Sequence, residues 1–376
     1  MAKKIGIVTG FDMSNYGNRL QNYAVQATLN KMGYESDTLV PAQKIYPNFK
    51  TRVKSCLLNT ACLFGEDKFV NRQPRAVRYY RFGQFNKNIN ITPVPTKDNF
   101  FPESLSDKYD YFVAGSDQVW NPFFWEITLG SSNAGANNFL LQFAKENQRK
   151  CFSPSFGISS LPDEYAKYFS RTLGTFSHIG VREHDGAKIV QDVAGRSAEV
   201  TLDPTLLLDK EEWAKVESNT YTPENRYILF LFLGTVSEEV APEQMSYLKS
   251  LASRKKLKFL QMGLPSVPNL FACGPGEFLH MINNAELVCT DSYHCAIFSF
   301  LYNKPFILFD RIYKRFDISM SSRTRTLLEL LDLERKAAEN IVWDDECVFE
   351  YDYSLGMKNL AKARENTLEF LEASFA

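Results

Sequence analysis

The sequence predicts an α/β protein built from two Rossmann-like, doubly wound domains that face a cleft. Three observations carry this expectation. Short apolar strands alternate with amphipathic helices in both halves of the chain. A polar stretch with Pro223, from Leu208 to Asn225, interrupts the alternation once. A length of 376 residues exceeds what a single core usually serves. The boundary is therefore placed between residues 215 and 216, with an insertion at about 41–105 in the first domain.

Ile5–Thr9 reads as a strand, and the Gly-, Ser- and Asn-rich run 10–18 as a loop. Arg19–Met32 has apolar residues over a broad helical face and is stopped by Gly33. Tyr34–Val40 returns as a strand and completes a βαβ unit. Residues 41–105 lack a clean period; Arg75, Arg78 and Arg81 share a helix face that reads as solvated. Strands are expected at Tyr109–Ala114, Phe139–Ala144, Cys151–Phe156, Ile179–Arg182 and Glu199–Leu202, with helices at Tyr165–Leu173 and Glu183–Asp192. The second half restarts with strands at Tyr227–Leu233, Leu257–Gln261, Ala285–Thr290 and Pro305–Phe309. Helices are expected at Ala241–Arg254, Glu277–Asn284, His294–Tyr302, Thr326–Leu333 and Tyr353–Phe370, and a polar loop at Asp310–Arg325.

Composition removes several classes of function. The apolar and charged fractions, 44% and 23%, are those of an ordinary globular protein. A net charge of −1 argues against general nucleic-acid binding. The seven cysteines have no metal-like spacing, and Cys289 and Cys295 read as small buried hydrophobes. The sequence has no HExxH and no clustered metal ligands, so no bound metal is expected. The start of the chain runs straight into a strand without a signal-peptide pattern, and no apolar run reaches membrane-spanning length. A cytoplasmic setting is the expectation.

The most informative stretch is Thr290-Asp291-Ser292-Tyr293-His294, a turn from a buried strand into a buried helix. Open α/β sheets bind ligands at such turns, where free N–H groups and the positive end of a helix dipole favour an anion. Thr290 and Ser292 supply hydroxyls there, and His294 suits a general acid or base. The same position also suits a histidine that merely bonds the preceding loop. Arg182 ends a strand and could grip a carboxylate or phosphate, or could pair with Glu183 or Asp185. Arg311, Arg315, Arg323 and Arg325 follow the Pro305–Phe309 strand, and one or two of them are expected to face the ligand. Asn15, Asn18, Arg19 and Gln21 crowd the first turn, which matches neither GxGxxG nor a P-loop. Ser116, Asp117 and Gln118 follow another strand, where Asp117 could simply cap a helix.

Several segments together resemble the polysaccharide pyruvyl transferase family. They are Asn15–Ala24, Gly115–Pro122, Val181-Arg182-Glu183, Leu202–Thr205, Glu277–Leu279 running on to Ala285, Thr290–His294, and Ser322-Arg323 with Thr326-Leu327-Leu328. The resemblance implies a fold similar to glycosyltransferase type B. It implies transfer of a pyruvyl group from phosphoenolpyruvate, as co-substrate without a cofactor, to two hydroxyls of a sugar, forming a ketal and releasing phosphate. His294 and Arg182 would be active-site residues, while Asn18, Asp117 and Gln118 would face the acceptor on the first-domain side. Many members carry arginine where this chain has Ser292, so the anion contact would fall to Arg323 or Arg325. A lipid-linked acceptor would require peripheral contact with the inner membrane face, for which region 41–105 is the candidate. Two other functions fit the same residues: a nucleotide-sugar-dependent glycosyltransferase, and a non-catalytic sugar- or anion-binding protein.

Overall fold

A computed structural model describes residues 2–45, 60, 70–311 and 321–376. Arg315 and part of the stretch considered for membrane contact, residues 46–59 and 61–69, lie outside the described residues. The chain forms two compact units. Unit 1 comprises residues 1–57, 86–208 and 362–376, and unit 2 comprises 58–85 and 209–361.

Unit 1 is built on a fully parallel sheet of strands β1 (Lys4–Val8), β2 (Glu35–Pro41), β3 (Ile91–Val94), β4 (Tyr111–Ala114) and β5 (Arg149–Cys151), in the order β3-β2-β1-β4-β5. A two-stranded parallel pair, β6 (Gly180–Val181) and β7 (Glu199–Val200), follows. Helix Tyr16–Lys31 connects β1 to β2, as the apolar pattern predicts. Asn15 caps its start by accepting from Asn18 N at 3.1 Å. Past its end Gly33 takes φ +89, which a side chain would resist. Its inner face is partly polar: Asn22 and Gln26 donate to Thr38 Oγ1 on β2 at 2.7 and 3.0 Å, which ties the helix to the strand.

Unit 2 has strands β8 (Tyr227–Leu231), β9 (Lys258–Met262), β10 (Leu287–Thr290) and β11 (Phe306–Leu308), all parallel, in the order β11-β10-β8-β9. Its core joins Ile228, Phe230, Leu248, Leu251, Leu287, Cys289 and Ile307. Helix Tyr293–Leu301 is buried along its whole length. Cys289 and Cys295 are fully buried, as expected of small apolar fillers, and burial pushes the Cys295 thiol up to about 12. Among the described residues no helix is long and apolar enough to cross a membrane.

Several boundaries differ from the expectation. The units divide at Leu208/Asp209, because Trp213 packs edge-on to Phe298 in unit 2 at 4.8 Å. Helix Pro74–Phe85 belongs to unit 2. Its basic face is not simply solvated: Arg78 donates to Phe271 O and Cys273 O and lies over the rings of Phe82 and Phe271, and Arg81 is buried. Strand β3 lies within the region that lacks a clean period, where Pro93 weakens its strand signal; an edge position tolerates that proline. Phe139–Ala144 is no strand. Phe139 ends helix Ser132–Phe139 and Leu141 takes φ +56, a case where a short apolar run fits a buried helix end equally well.

The C-terminal helix, Ser354–Phe375, continues beyond the predicted Phe370, and its last part closes unit 1. Phe370, Leu371 and Phe375 join a core with Ile5, Ile7, Val25, Val113 and Phe152. The fit is tight: a Cβ on Gly180 would come within 2.7 Å of the Phe370 ring. Phe370→Ala is predicted to destabilise unit 1 by about 3–5 kcal/mol, measured by urea unfolding. A loss below about 1 kcal/mol would show that the helix end is dispensable.

Candidate functional site

In unit 1 the chain lays β2 and β3 on one side of β1, then places β4 on the other. The loops after β1 and β4 therefore diverge, which opens a crevice at the carboxyl ends of the strands. A pocket of about 290 Å³ occupies this position. Its walls include Phe11, Asp12, Asn15 and Asn18 from the first loop and helix, Asp117 and Gln118 after β4, and the rings of Phe124, Trp125 and Phe139.

The polar side of the pocket is held in place by its own hydrogen bonds. Asp117 has φ +76, a left-handed conformation that Asp tolerates better than most residues. Its Oδ1 accepts from Gln118 N at 2.9 Å and its Oδ2 from Asn18 Nδ2 at 2.9 Å. The Asn18 Oδ1 accepts from Asp12 N and from Nε and Nη2 of Arg19. Arg19 itself is fully buried, lies 4.5 Å from the centre of the Phe11 ring, and donates to Gly10 O at 2.7 Å. Burial pulls its pKa down to about 10, so it stays charged at neutral pH. Arg19 thus backs the pocket wall, whereas the sequence suggested substrate contact. Asp117 also departs from its expected alternative role, since it caps no helix.

Behind the pocket lies a buried polar network. Arg182 Nη1 donates to Asp203 Oδ2 and, at 3.4 Å, to Ser116 Oγ. Both side chains of the ion pair are completely buried. Asp203 Oδ2 also accepts from Ser116 Oγ, and Oδ1 from Thr205 N and Oγ1. Ser116 O accepts from Thr9 Oγ1, which in turn accepts from Gln21 Nε2. Two expectations are corrected here. The Arg182 guanidinium faces Asp203 inside the fold instead of an open mouth, and Asp203 takes the place in the ion pair that the sequence offered to Glu183 or Asp185. Ser116 is buried in the same network and does not line the pocket. Ser116 directly precedes Asp117, so this network anchors the chain beside the pocket wall. Glu183 instead fixes the turn after β5, where its Oε1 accepts from Ser155 Oγ, Phe156 N and Gly157 N.

Unit 2 repeats the arrangement with different chemistry. Its switch point falls where β9 and β10 leave opposite sides of β8. Asp291 fastens the loops there: Oδ1 accepts from Leu233 N at 2.8 Å, and Oδ2 from Gly234 N at 2.8 Å and Arg311 Nε at 2.9 Å. Arg311 also donates to Asp291 O, which ties its guanidinium to the turn. The hydroxyl of Thr290 donates to Leu231 O and accepts from Ser292 N, which likewise turns an expected ligand contact into a structural one. Ser292 is the N-cap residue of helix Tyr293–Leu301, and no hydrogen bond from that helix start engages its side chain. His294 is buried at the helix start, its ring edge-on to Tyr293 at 5.3 Å. Arg323, from helix Ser322–Leu331, is buried over the Tyr293 ring at 5.5 Å. Arg325 sits on the same helix and is exposed.

Unit 2 also holds a larger pocket, of about 810 Å³, lined by Phe232, Met245, Phe259, Met262 and Leu264 with Lys249 and Gln261. It lies toward the β8–β9 side, and its described lining carries no carboxylate or imidazole. Among the described residues no three His, Cys, Asp or Glu side chains converge as metal ligands. Sequence reasoning missed Asp203 and Asp291 as organisers and the aromatic wall at Phe124 and Trp125. The Asp203-Pro204 pair was a legible sign, since an Asp before Pro commonly caps a turn.

The family model described as polysaccharide pyruvyl transferase matches residues 15–312. No curated protein matches the chain. Among solved structures, S. aureus MnaA with UDP is similar at 11% identity and a TM-score of 0.52, covering 98% of this chain and 96% of that one. A putative UDP-N-acetylglucosamine 2-epimerase from Listeria monocytogenes is similar at 11% identity and a TM-score of 0.48, covering 100% of this chain and 90% of that one. At such identity the first likeness shows the fold alone: two Rossmann-like units of the glycosyltransferase type B kind.

The buried pair yields a stability prediction. Asp203→Ala leaves the Arg182 charge uncompensated and is predicted to cost about 3–5 kcal/mol in denaturant unfolding. The double variant Arg182→Met, Asp203→Leu is predicted to recover much of that loss. A double variant as unstable as Asp203→Ala would contradict the pairing.

Proposed function

Because the chain belongs to the polysaccharide pyruvyl transferase family, we propose that it transfers a pyruvyl group from phosphoenolpyruvate to two hydroxyls of a sugar, forming a cyclic ketal. One observation carries the proposal: the two strand-end sites have opposite chemical character. The unit 1 pocket is lined by two carboxylates, three amide side chains and several aromatic rings, with no cationic side chain among its described lining residues. That lining suits a neutral polyol, which offers hydroxyl donors to carboxylates and apolar ring faces to aromatics, and disfavours an anion. The unit 2 turn offers a helix start, the Ser292 hydroxyl, the His294 imidazole and the Arg323 guanidinium. That set suits a carboxylate and a phosphate.

The reaction balances with these groups. The methylene carbon of phosphoenolpyruvate gains a proton while a sugar oxygen bonds to the adjacent carbon. Phosphate then leaves as a second sugar oxygen bonds to the same carbon. Two hydroxyl protons are lost, one replaced by the proton gained at carbon and one carried away with phosphate. His294 supplies the proton to carbon, and Arg323 with the helix start holds the donor's charges. Arg182 acts through Asp203 and Ser116 on the acceptor pocket. The acceptor sugar is part of a polysaccharide or its precursor.

The test is phosphate release from phosphoenolpyruvate in the presence of sugar acceptors. His294→Ala is predicted to lower kcat by about a hundredfold or more while thermal unfolding is unchanged. A near-normal rate would remove His294 from the mechanism. Arg323→Ala is predicted to abolish thermal stabilisation by phosphoenolpyruvate. Stabilisation of the wild-type protein by a nucleotide sugar, with none by phosphoenolpyruvate, would favour a glycosyltransferase instead.

A further inference from the structure

Resting on that reading, we propose that Asp117 is the catalytic base that removes a proton from the acceptor hydroxyl. The pocket lining contains two ionisable side chains among its described residues, Asp12 and Asp117. Asp12 is exposed, and its Oδ1 accepts from both Ser14 N and Ser14 Oγ at 2.7 Å, which closes a local turn. Asp117 is placed differently. It follows the end of β4 at the switch point, and its left-handed backbone turns the carboxylate toward the first loop. Both carboxylate oxygens are oriented, one by Gln118 N and the other by Asn18 Nδ2.

The support behind Asp117 is rigid. Asn18 is buried and its orientation is set by Arg19, whose guanidinium donates twice to Asn18 Oδ1. With that oxygen committed to Arg19, the amide nitrogen is directed at Asp117. Ser155 N donates to Asp117 O at 2.9 Å and fixes the backbone from the other side. A base whose carboxylate and backbone are both tied by hydrogen bonds suits a proton transfer that depends on geometry. Asp is among the few non-glycine residues that hold a left-handed backbone at small cost, and at position 117 this conformation keeps the carboxylate at the pocket wall.

In the step proposed, the acceptor O–H bond breaks and its proton passes to Asp117. The freed electron pair of this first hydroxyl forms the bond from the sugar oxygen to the ketal carbon while the C=C π pair takes the proton that His294 supplies. The second hydroxyl then displaces phosphate from the same carbon, and its proton restores His294. Asp117 gives the proton up when phosphate departs, so the carboxylate is regenerated in each turnover. Arg19 and Asn18 are positioning residues in this scheme.

The experiment measures phosphate release from phosphoenolpyruvate with a productive sugar acceptor, for wild type, Asp117→Asn and Asp117→Gly. Asn and Gly both accommodate a left-handed backbone, so both variants retain the loop. The expected result is a fall in kcat of about a hundredfold or more for Asp117→Asn, with acceptor affinity within about threefold of wild type, a flattened acidic limb of the pH profile, and partial rescue of Asp117→Gly by added formate. An Asp117→Asn variant with near-normal kcat, or one whose loss lies wholly in acceptor KM, overturns the inference and leaves the function standing. A wild-type protein that turns over phosphoenolpyruvate with no sugar acceptor overturns both.

Discussion

Parallel sheets leave one requirement unmet: the loops that leave the carboxyl ends of their strands carry backbone groups that the ladder cannot satisfy. This protein meets it with buried carboxylates. Asp203 gathers Ser116, Arg182 and Thr205, Glu183 gathers the turn after β5, and Asp291 gathers the loop after β8 together with Arg311. In each case one acidic side chain accepts several donors, and Asp203 and Asp291 each also pair with an arginine, which compensates those two buried charges. The pocket-forming residues stand on loops made rigid in this way.

This arrangement reassigns several charged residues. A strand-end arginine such as Arg182 looks like an anion receptor, yet its complete burial on Asp203 makes it a support for the loop that lines the unit 1 pocket. Arg311 is likewise absorbed by Asp291, and Arg19 by Asn18 and Gly10. Arg323, over the Tyr293 ring, remains next to the helix start where a donor anion is proposed to bind. Loss of activity in an Arg182 variant would therefore reflect a displaced loop at Ser116 and Asp117, not the absence of a charge at the donor.

Much of the architecture was legible in the sequence because strand and helix periods alternate cleanly. The turn at Thr290–His294 stood out because strand, polar turn and apolar helix adjoin within a few residues. What was not legible depends on distant contacts. The partner of Arg182 lies 21 residues further on, across a helix and a strand. Helix Pro74–Phe85 joins unit 2 through Phe271 and Cys273, far along the chain. The aromatic wall of the pocket comes from Phe124 and Trp125, which in sequence resemble ordinary core residues. The left-handed backbone of Asp117 has no signature in residue type at all, since Asp is equally common in caps and turns.

The product we propose is a pyruvate ketal. Incubation with phosphoenolpyruvate labelled with carbon-13 at its methylene carbon and a panel of galactose-, mannose- and glucose-containing acceptors, followed by NMR of the sugar product, tests it directly. The predicted result is a labelled methyl group on a ketal carbon bonded to two sugar oxygens, formed together with an equal amount of phosphate. A label that stays in phosphoenolpyruvate or free pyruvate, with every acceptor unmodified, would contradict it.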